Sequence, residues 1–272
     1  MCLKKAGELL ESVRRKKPLI HCITNVVTVN DCANILLAAG ARPTMAHHPF
    51  EAAEITAGCD ALVCNFGATE DYEAMFLAAK EAAHLSHPII LDPVGAGGST
   101  FRREKIRELM EQVSVTLIRG NASEMLALFR NEKTVVGVDA RKTDGEDTQG
   151  LMEQAKIFAK EKNCICVISG ERDIITDGNR GIYVENGSPF MSKITGSGCM
   201  STALLGAFLS VEQSIFAGAA VPFVMGIAGE MAQGKCEKIH GGIMTFKNCM
   251  MDALSLMSEN EILKYGKGEY LI

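Results

Sequence analysis

Pro88-Ile-Ile-Leu-Asp-Pro-Val-Gly-Ala-Gly-Gly98 is the stretch on which the fold turns. Its apolar run, Pro88–Asp92, is too short for a helix, ends on a carboxylate and drops into a glycine-rich loop. A continuous apolar run of this length reads as a strand buried on both faces. The loop leads into a helical pattern over Phe101–Gln112. Working outward, the same unit recurs. Pro18–Ile23 precedes a helical pattern over Asn30–Ala39, Asp60–Phe66 precedes one over Glu70–Leu85, and Val115–Ile118 precedes one over Ser123–Phe129. A further helix is expected over Phe50–Ala57, and Gly150–Lys162 leads into the strand-like run Cys164–Ser169. Gly40 and Gly58 fit the left-handed position that closes a helix. Strands alternating with helices imply an α/β fold: a mostly parallel sheet covered by helices.

After Ser169 the pattern changes. Asp173–Thr176 and Gly181–Val184 flank Asp177-Gly-Asn-Arg180, a hairpin turn. From Gly198 the chain reads as helices almost to its end. Lys133–Gln149 is polar and reads as a surface loop. No linker or repeat interrupts the pattern, so residues 1–272 read as one domain.

Composition narrows the function. The 272 residues are 47% hydrophobic and 22% charged, which excludes a disordered or collagen-like chain. A net charge of −5 gives no global attraction to nucleic acid, and with no Trp and 6% aromatics a stacking platform for single strands is not expected. The ten cysteines form no C-x-x-C pair, and several lie in apolar runs such as Cys164-Ile-Cys166. They read as buried, reduced thiols, which points to a reducing, cytoplasmic compartment. The N-terminal residues 1–17 are charged and amphipathic, without the apolar core of a signal peptide. Residues 194–211 and 213–229 are uncharged, but they are rich in Gly, Ala and Ser and read as closely packed core helices, not membrane spans.

In a parallel sheet, ligands bind beyond the carboxyl ends of the strands. Polar or glycine residues stand at every such corner: Thr24-Asn25, Gly67, Asp92 and its loop, Arg119-Gly-Asn-Ala-Ser-Glu124, and Ser169-Gly-Glu171. Asp92 suits a hydrated Mg²⁺, or it caps its own turn. Arg119 suits phosphate and Glu124 a metal, while Asn121 or Ser123 is placed to cap the helix that follows. Thr195-Gly-Ser-Gly-Cys199 feeds a helix, so the backbone N–H groups of Gly196, Ser197, Gly198 and Cys199 form an expected anion hole. A thiol at that helix start is expected to have a lowered pKa. His47-His48 reads as a solvated or substrate-rim loop more readily than as a metal pair, because adjacent side chains rarely face the same way.

Taken together, Ile23-Thr-Asn25, Pro43-Thr-Met45, Leu91-Asp-Pro-Val-Gly-Ala-Gly97, Ile118-Arg-Gly-Asn-Ala-Ser-Glu124, Ile168-Ser-Gly170 and Thr195-Gly-Ser-Gly-Cys199 resemble, in the same order, the hydroxyethylthiazole kinases. The resemblance covers about residues 8 to 255. It implies a ribokinase-like three-layer α/β/α sandwich with a mostly parallel central sheet. It also implies ATP- and Mg²⁺-dependent phosphorylation of the primary alcohol of 4-methyl-5-(2-hydroxyethyl)thiazole, in thiamine salvage, by a homotrimer whose site is shared between subunits. Met45, Asn25 and Gly196 then fall on the substrate side. Arg119 and Ser169, with Asn121, fall on the ATP side, and Asp92 and Glu124 on the metal side. Many members carry Thr where this chain has Ser169, and Gly-Ala-Gly-Cys where it has Gly196-Ser-Gly-Cys199; neither change removes a donor.

The wider superfamily usually has Asp as the base where this chain has Cys199, so the cysteine favours this branch. Three competitors remain from sequence. One is a kinase for hydroxymethylpyrimidine or a pyridoxine-like alcohol. Another is a catalytically silent ligand sensor of the same fold. The third is a thiol enzyme with Cys199 as covalent nucleophile.

Overall fold

The computed structural model describes residues 2–130 and 148–271. In chain order the elements are α1 (Cys2–Lys16), β1 (Leu19–Ile23), α2 (Val29–Ala38), β2 (Arg42–Thr44), α3 (Pro49–Ala57), β3 (Ala61–Asn65), α4 (Tyr72–His84), β4 (Ile89–Asp92), α5 (Thr100–Gln112), β5 (Leu117–Asn121) and α6 (Ala122–Arg130). They continue with α7 (Thr148–Lys162), β6 (Ile165–Ser169), β7 (Asp173–Thr176), β8 (Gly181–Val184), a short 3₁₀ turn (Pro189–Lys193), α8 (Ser197–Val211), α9 (Ile215–Lys238), α10 (Ile243–Leu256), α11 (Glu259–Tyr265) and β9 (Gly268–Leu271).

The strands form one sheet in the order β2-β1-β3-β4-β5-β6-β7-β8-β9. β2 through β6 in that order pair in parallel; β7, β8 and β9 add antiparallel. All of β3 and β4 is buried, as their unbroken apolar runs require. Alternate residues feed two separate cores. Ile20, Cys22, Ala61, Val63 and Ile90 pack with α1, α2, α8, α9 and α10. Ile23, Leu62, Cys64, Ile89 and Leu91 pack with α4, α5 and α7 on the other face. Two cores on two faces of one sheet make the expected three-layer α/β/α sandwich.

α8 lies directly on the sheet. A Cβ at Gly206 would stand 2.7 Å from Val63 and 2.9 Å from Ile20, so glycine permits this close approach. α9 is long and apolar enough to cross a membrane, yet 83% of its most apolar window is buried against the rest of the protein. It is a core helix here. All ten cysteines are free, and all but Cys2 and Cys199 are buried.

Some expectations need correction. Gly40 does take the left-handed conformation (φ +87°), but Gly58 does not (φ −89°), so α3 ends without it. β2 was not visible in the sequence, because Pro43 sits in its middle; proline is tolerated there since β2 is an edge strand. β9 was likewise missed: four residues near the C-terminus pair with β8. The expected loop Lys133–Gln149 falls almost entirely outside the described residues, and α7 begins at Thr148.

Candidate active site

The carboxyl ends of the parallel strands are aligned by the sheet's register. Asn65 of β3 stands beside Asp92 of β4, and Asn121 of β5 beside Ser169 of β6. Four of the chain's polar side chains are thus set along one edge by strand pairing alone. The N-terminus of α8 comes down onto this edge from the other layer.

Gly196 is the N-cap of α8, with φ +83° and no side-chain cap. A Cβ there would be 2.7 Å from the Thr28 methyl, so both conformation and space demand glycine. The first-turn amides of Ser197, Gly198 and Cys199 lack intrahelical acceptors, as at any helix start. Arg119 reaches this turn from β5. A Cβ on Gly198 would stand 2.5 Å from its Nη1, so the guanidinium packs against the glycine. Its Nη2 donates to Ser169 Oγ at 2.7 Å, which bridges β5 and β6. A fixed cation and the positive end of a helix therefore meet at one point.

Below the turn is a chain of amides and acids. Gly67 N donates to Asn65 Oδ1 at 2.9 Å. A backbone N–H can only donate, so this contact fixes which end of the Asn65 amide faces it. The Asn65 NH₂ then points the other way, to Asp92 Oδ2 (3.2 Å) and Cys199 Sγ (3.3 Å). Asn25 Nδ2 donates to Asn65 Oδ1 at 3.3 Å and to Cys199 Sγ at 3.5 Å. Thr202, one turn below Cys199 on α8, donates to Asp92 Oδ2 at 2.7 Å. Asp92 Oδ1 is buried and finds no hydrogen-bond partner among the described residues.

This packing sets the ionisation. Burial pushes Asp92 up to about 7; Glu124 adds to the rise, while Arg119 and the Thr202 hydroxyl oppose it. The Cys199 thiol is also raised, first by burial and then by the Asp92 carboxylate, against hydrogen bonds from Thr28, Asn65 and Asn25. The lowered pKa expected from the helix start is therefore wrong: burial beside an acid outweighs the helix end. Cys199 is a protonated thiol at neutral pH, which weighs against its use as a covalent nucleophile.

Glu124 is committed to the loops. Its Oε1 accepts from Gly95 N (2.9 Å) and its Oε2 from Asn121 N (3.0 Å), while Asn121 Oδ1 accepts from Glu124 N (2.9 Å). Asn121 thus caps α6 reciprocally with Glu124, in the manner of a capping box. The same contacts join the Asp92–Gly98 loop to the end of β5. Arg102 and Arg103 brace that loop through the carbonyls of Val94 (3.0 Å) and Ala96 (2.7 Å).

Met45 follows β2 at the outer end of the same edge and packs against the α8 core. His47 and His48 are exposed; His48 Nδ1 accepts from Phe50 N and starts α3. His21 is buried between Thr56 and Ala46. No cluster of three or more His, Cys, Asp or Glu able to hold a metal occurs among the described residues. Asn65, Thr202 and Thr28 escaped the sequence reading. Asn65 is the last residue of β3, as Asp92 is of β4, and a lone polar residue near the end of the apolar run Asp60–Phe66 was the available signal.

A helix N-terminus, a fixed arginine and buried acids at the carboxyl edge of a parallel α/β/α sheet define a small-molecule phosphotransferase of the ribokinase-like fold. A ribokinase-like superfamily protein from Enterococcus faecalis shares that fold at a TM-score of 0.63 and 10% identity, over 93% of this chain and 95% of its own. The model of the hydroxyethylthiazole kinase family matches residues 10–260, and the chain belongs to that family. A hydroxyethylthiazole kinase of Clostridium beijerinckii is 45% identical over 97% of this chain and 96% of its own length. One from Clostridium botulinum is 42% identical with the same coverage. The solved hydroxyethylthiazole kinase of Pyrococcus horikoshii superposes with a TM-score of 0.88 at 33% identity, covering 98% of this chain and 99% of that one.

Proposed function

We propose that this chain transfers the γ-phosphoryl group of ATP to the primary alcohol of 4-methyl-5-(2-hydroxyethyl)thiazole, returning the thiazole to thiamine synthesis. Family membership supports the substrate. The observation that carries the chemistry is the contact of Arg119 with Gly198 at the N-terminus of α8, above the Asn25–Asn65–Cys199–Asp92 network.

Phosphoryl transfer asks mainly for positioning and charge stabilisation. In this reading the alcohol oxygen lies beside Cys199, with Asn25, Met45 and Gly196 on the substrate side. The amides of residues 197–199 donate to the equatorial oxygens of the transferring group. Arg119, held by Ser169, neutralises the polyphosphate and keeps it in line. Asn121 orders the corner that carries Arg119. The Cys199 thiol accepts a hydrogen bond from the alcohol and orients it; the alcohol proton passes to an oxygen of the transferred phosphoryl group, since a loose transition state needs no strong base.

The acids fit Mg²⁺. Asp92 has a buried oxygen without a partner, and hard carboxylate oxygens suit that ion. Asp92 would hold it, with Glu124, whose two oxygens already accept backbone N–H groups, reaching it through water. Bound there, Mg²⁺ would neutralise charge on the phosphate oxygens. Ile168, Ser169, Gly170 and Ile174 line an open groove beside Arg119, which suits the nucleoside.

We further read residues 1–272 as one domain, working in the cytoplasm as a homotrimer. Val26, Val27 and Phe50 are largely exposed next to Asn25 and His48, an apolar rim suited to a second copy of the chain at the substrate side. ADP release that depends on both the thiazole alcohol and Mg²⁺ tests the reaction. Folded protein that releases no ADP above the alcohol-free rate overturns it.

A further inference from the structure

Behind the anion turn lies an ion pair with no place in the steps above. Asp31, in the first turn of α2, meets Lys247 of α10 through both carboxylate oxygens, at 2.9 and 3.1 Å. The side chains are only 13% and 17% exposed. The acid is close to the turn: a Cβ on Gly196 would stand 4.0 Å from Asp31 Oδ2. Thr28, the N-cap of α2, touches that same Cβ position and hydrogen-bonds Cys199. The starts of α2 and α8 therefore converge, with a carboxylate between them.

A site that gathers polyphosphate charge is poorly served by a free carboxylate at its back wall. We infer that Lys247 is an electrostatic positioning residue, which cancels Asp31 so that the 196–199 turn presents a net positive field to the phosphoryl group. This rests on the proposed use of that turn for phosphate. The two members of the pair are then unequal. Losing Lys247 uncovers a negative charge; losing Asp31 uncovers a positive one. A pair that merely ties α2 to α10 has no such sign.

The test compares Lys247→Met, Asp31→Asn and the double variant for ATP binding by calorimetry, for kcat/KM toward ATP, and for Tm. Calorimetry reads the pair whatever alcohol the enzyme accepts, and wild-type turnover in parallel reports separately on the proposed reaction. Lys247→Met is expected to weaken ATP binding and kcat/KM on the order of tenfold, as one uncovered charge at this range does in a part-buried setting. Asp31→Asn is expected to match or exceed wild type, and the double variant to recover to within about threefold. Equal losses in both single variants, tracking Tm, overturn the inference. So does wild-type ATP binding in Lys247→Met. If Lys247→Met does not fold, Asp31→Asn decides alone: a tenfold loss in a folded Asp31→Asn protein contradicts the sign.

Discussion

Replacing Gly198 by Ala separates stability from activity. Gly198 is the second residue of α8 and has ordinary helical backbone, so alanine is allowed there. Alanine in a helix is favoured over glycine by up to about 1 kcal/mol, so Tm is expected to hold or rise slightly. The new methyl would lie 2.5 Å from Arg119 Nη1 and 3.3 Å from Cζ. Non-bonded contacts settle near 3.5–4.0 Å, so the guanidinium must retreat by about 1 Å. Its hydrogen bond to Ser169 at 2.7 Å then stretches or breaks. A displacement of about 1 Å at a positioning group costs on the order of 10²-fold in rate. The assay is steady-state ADP release at saturating and limiting ATP, beside a thermal melt. A folded Gly198→Ala protein with wild-type kcat and ATP KM refutes the role given to Arg119 at the α8 terminus.

Arg119→Ala should raise the KM for ATP or lower kcat by at least tenfold in the same assay, with little change in Tm because the side chain is half-buried. Cys199→Asp should keep substantial turnover, since Asn25 and Asn65 already donate to that position; complete loss in a folded protein removes Cys199 from the base slot. Asn65→Leu should cost on the order of 2–3 kcal/mol of stability by denaturant titration, because it strips Gly67 N of its acceptor and leaves Asp92 with Thr202 as its one donor, and should lower kcat more than ATP affinity. Asp92 is raised to about 7 when folded and is near 4 when unfolded, so the unfolded chain releases its proton first. In metal-free protein its contribution makes stability fall as pH rises from about 4 to 7 and leaves it lowest above 7. Asp92→Asn should accordingly raise Tm at pH 8 more than at pH 4, while abolishing turnover.

Strand–helix alternation was legible because the central strands are buried on both faces and carry no alternation to confuse them. β2 and β9 were not, since an edge strand of three or four residues needs little apolar content and takes its identity from its partner. The placement of the candidate residues could be read as well: Asp92, Arg119, Ser169 and the 196–199 turn stand where strands end and helices begin. What could not be read was charge state. The Cys199 thiol has the sequence position of a helix-start thiol with a lowered pKa, and its own burial, reinforced by Asp92 beneath it, reverses the sign. Asn65 and Lys247 were invisible for a similar reason: each acts through a partner distant in sequence, at 92, 199 or 31.

The most direct test offers the purified protein, with ATP and Mg²⁺, three alcohols in parallel: hydroxyethylthiazole, hydroxymethylpyrimidine and pyridoxal. Products are identified by mass spectrometry. Hydroxyethylthiazole phosphate and ADP are expected in equal amounts, with the other two alcohols unchanged. Phosphorylation of another alcohol in place of the thiazole, or ATP binding with no phosphorylated product, contradicts the proposed function.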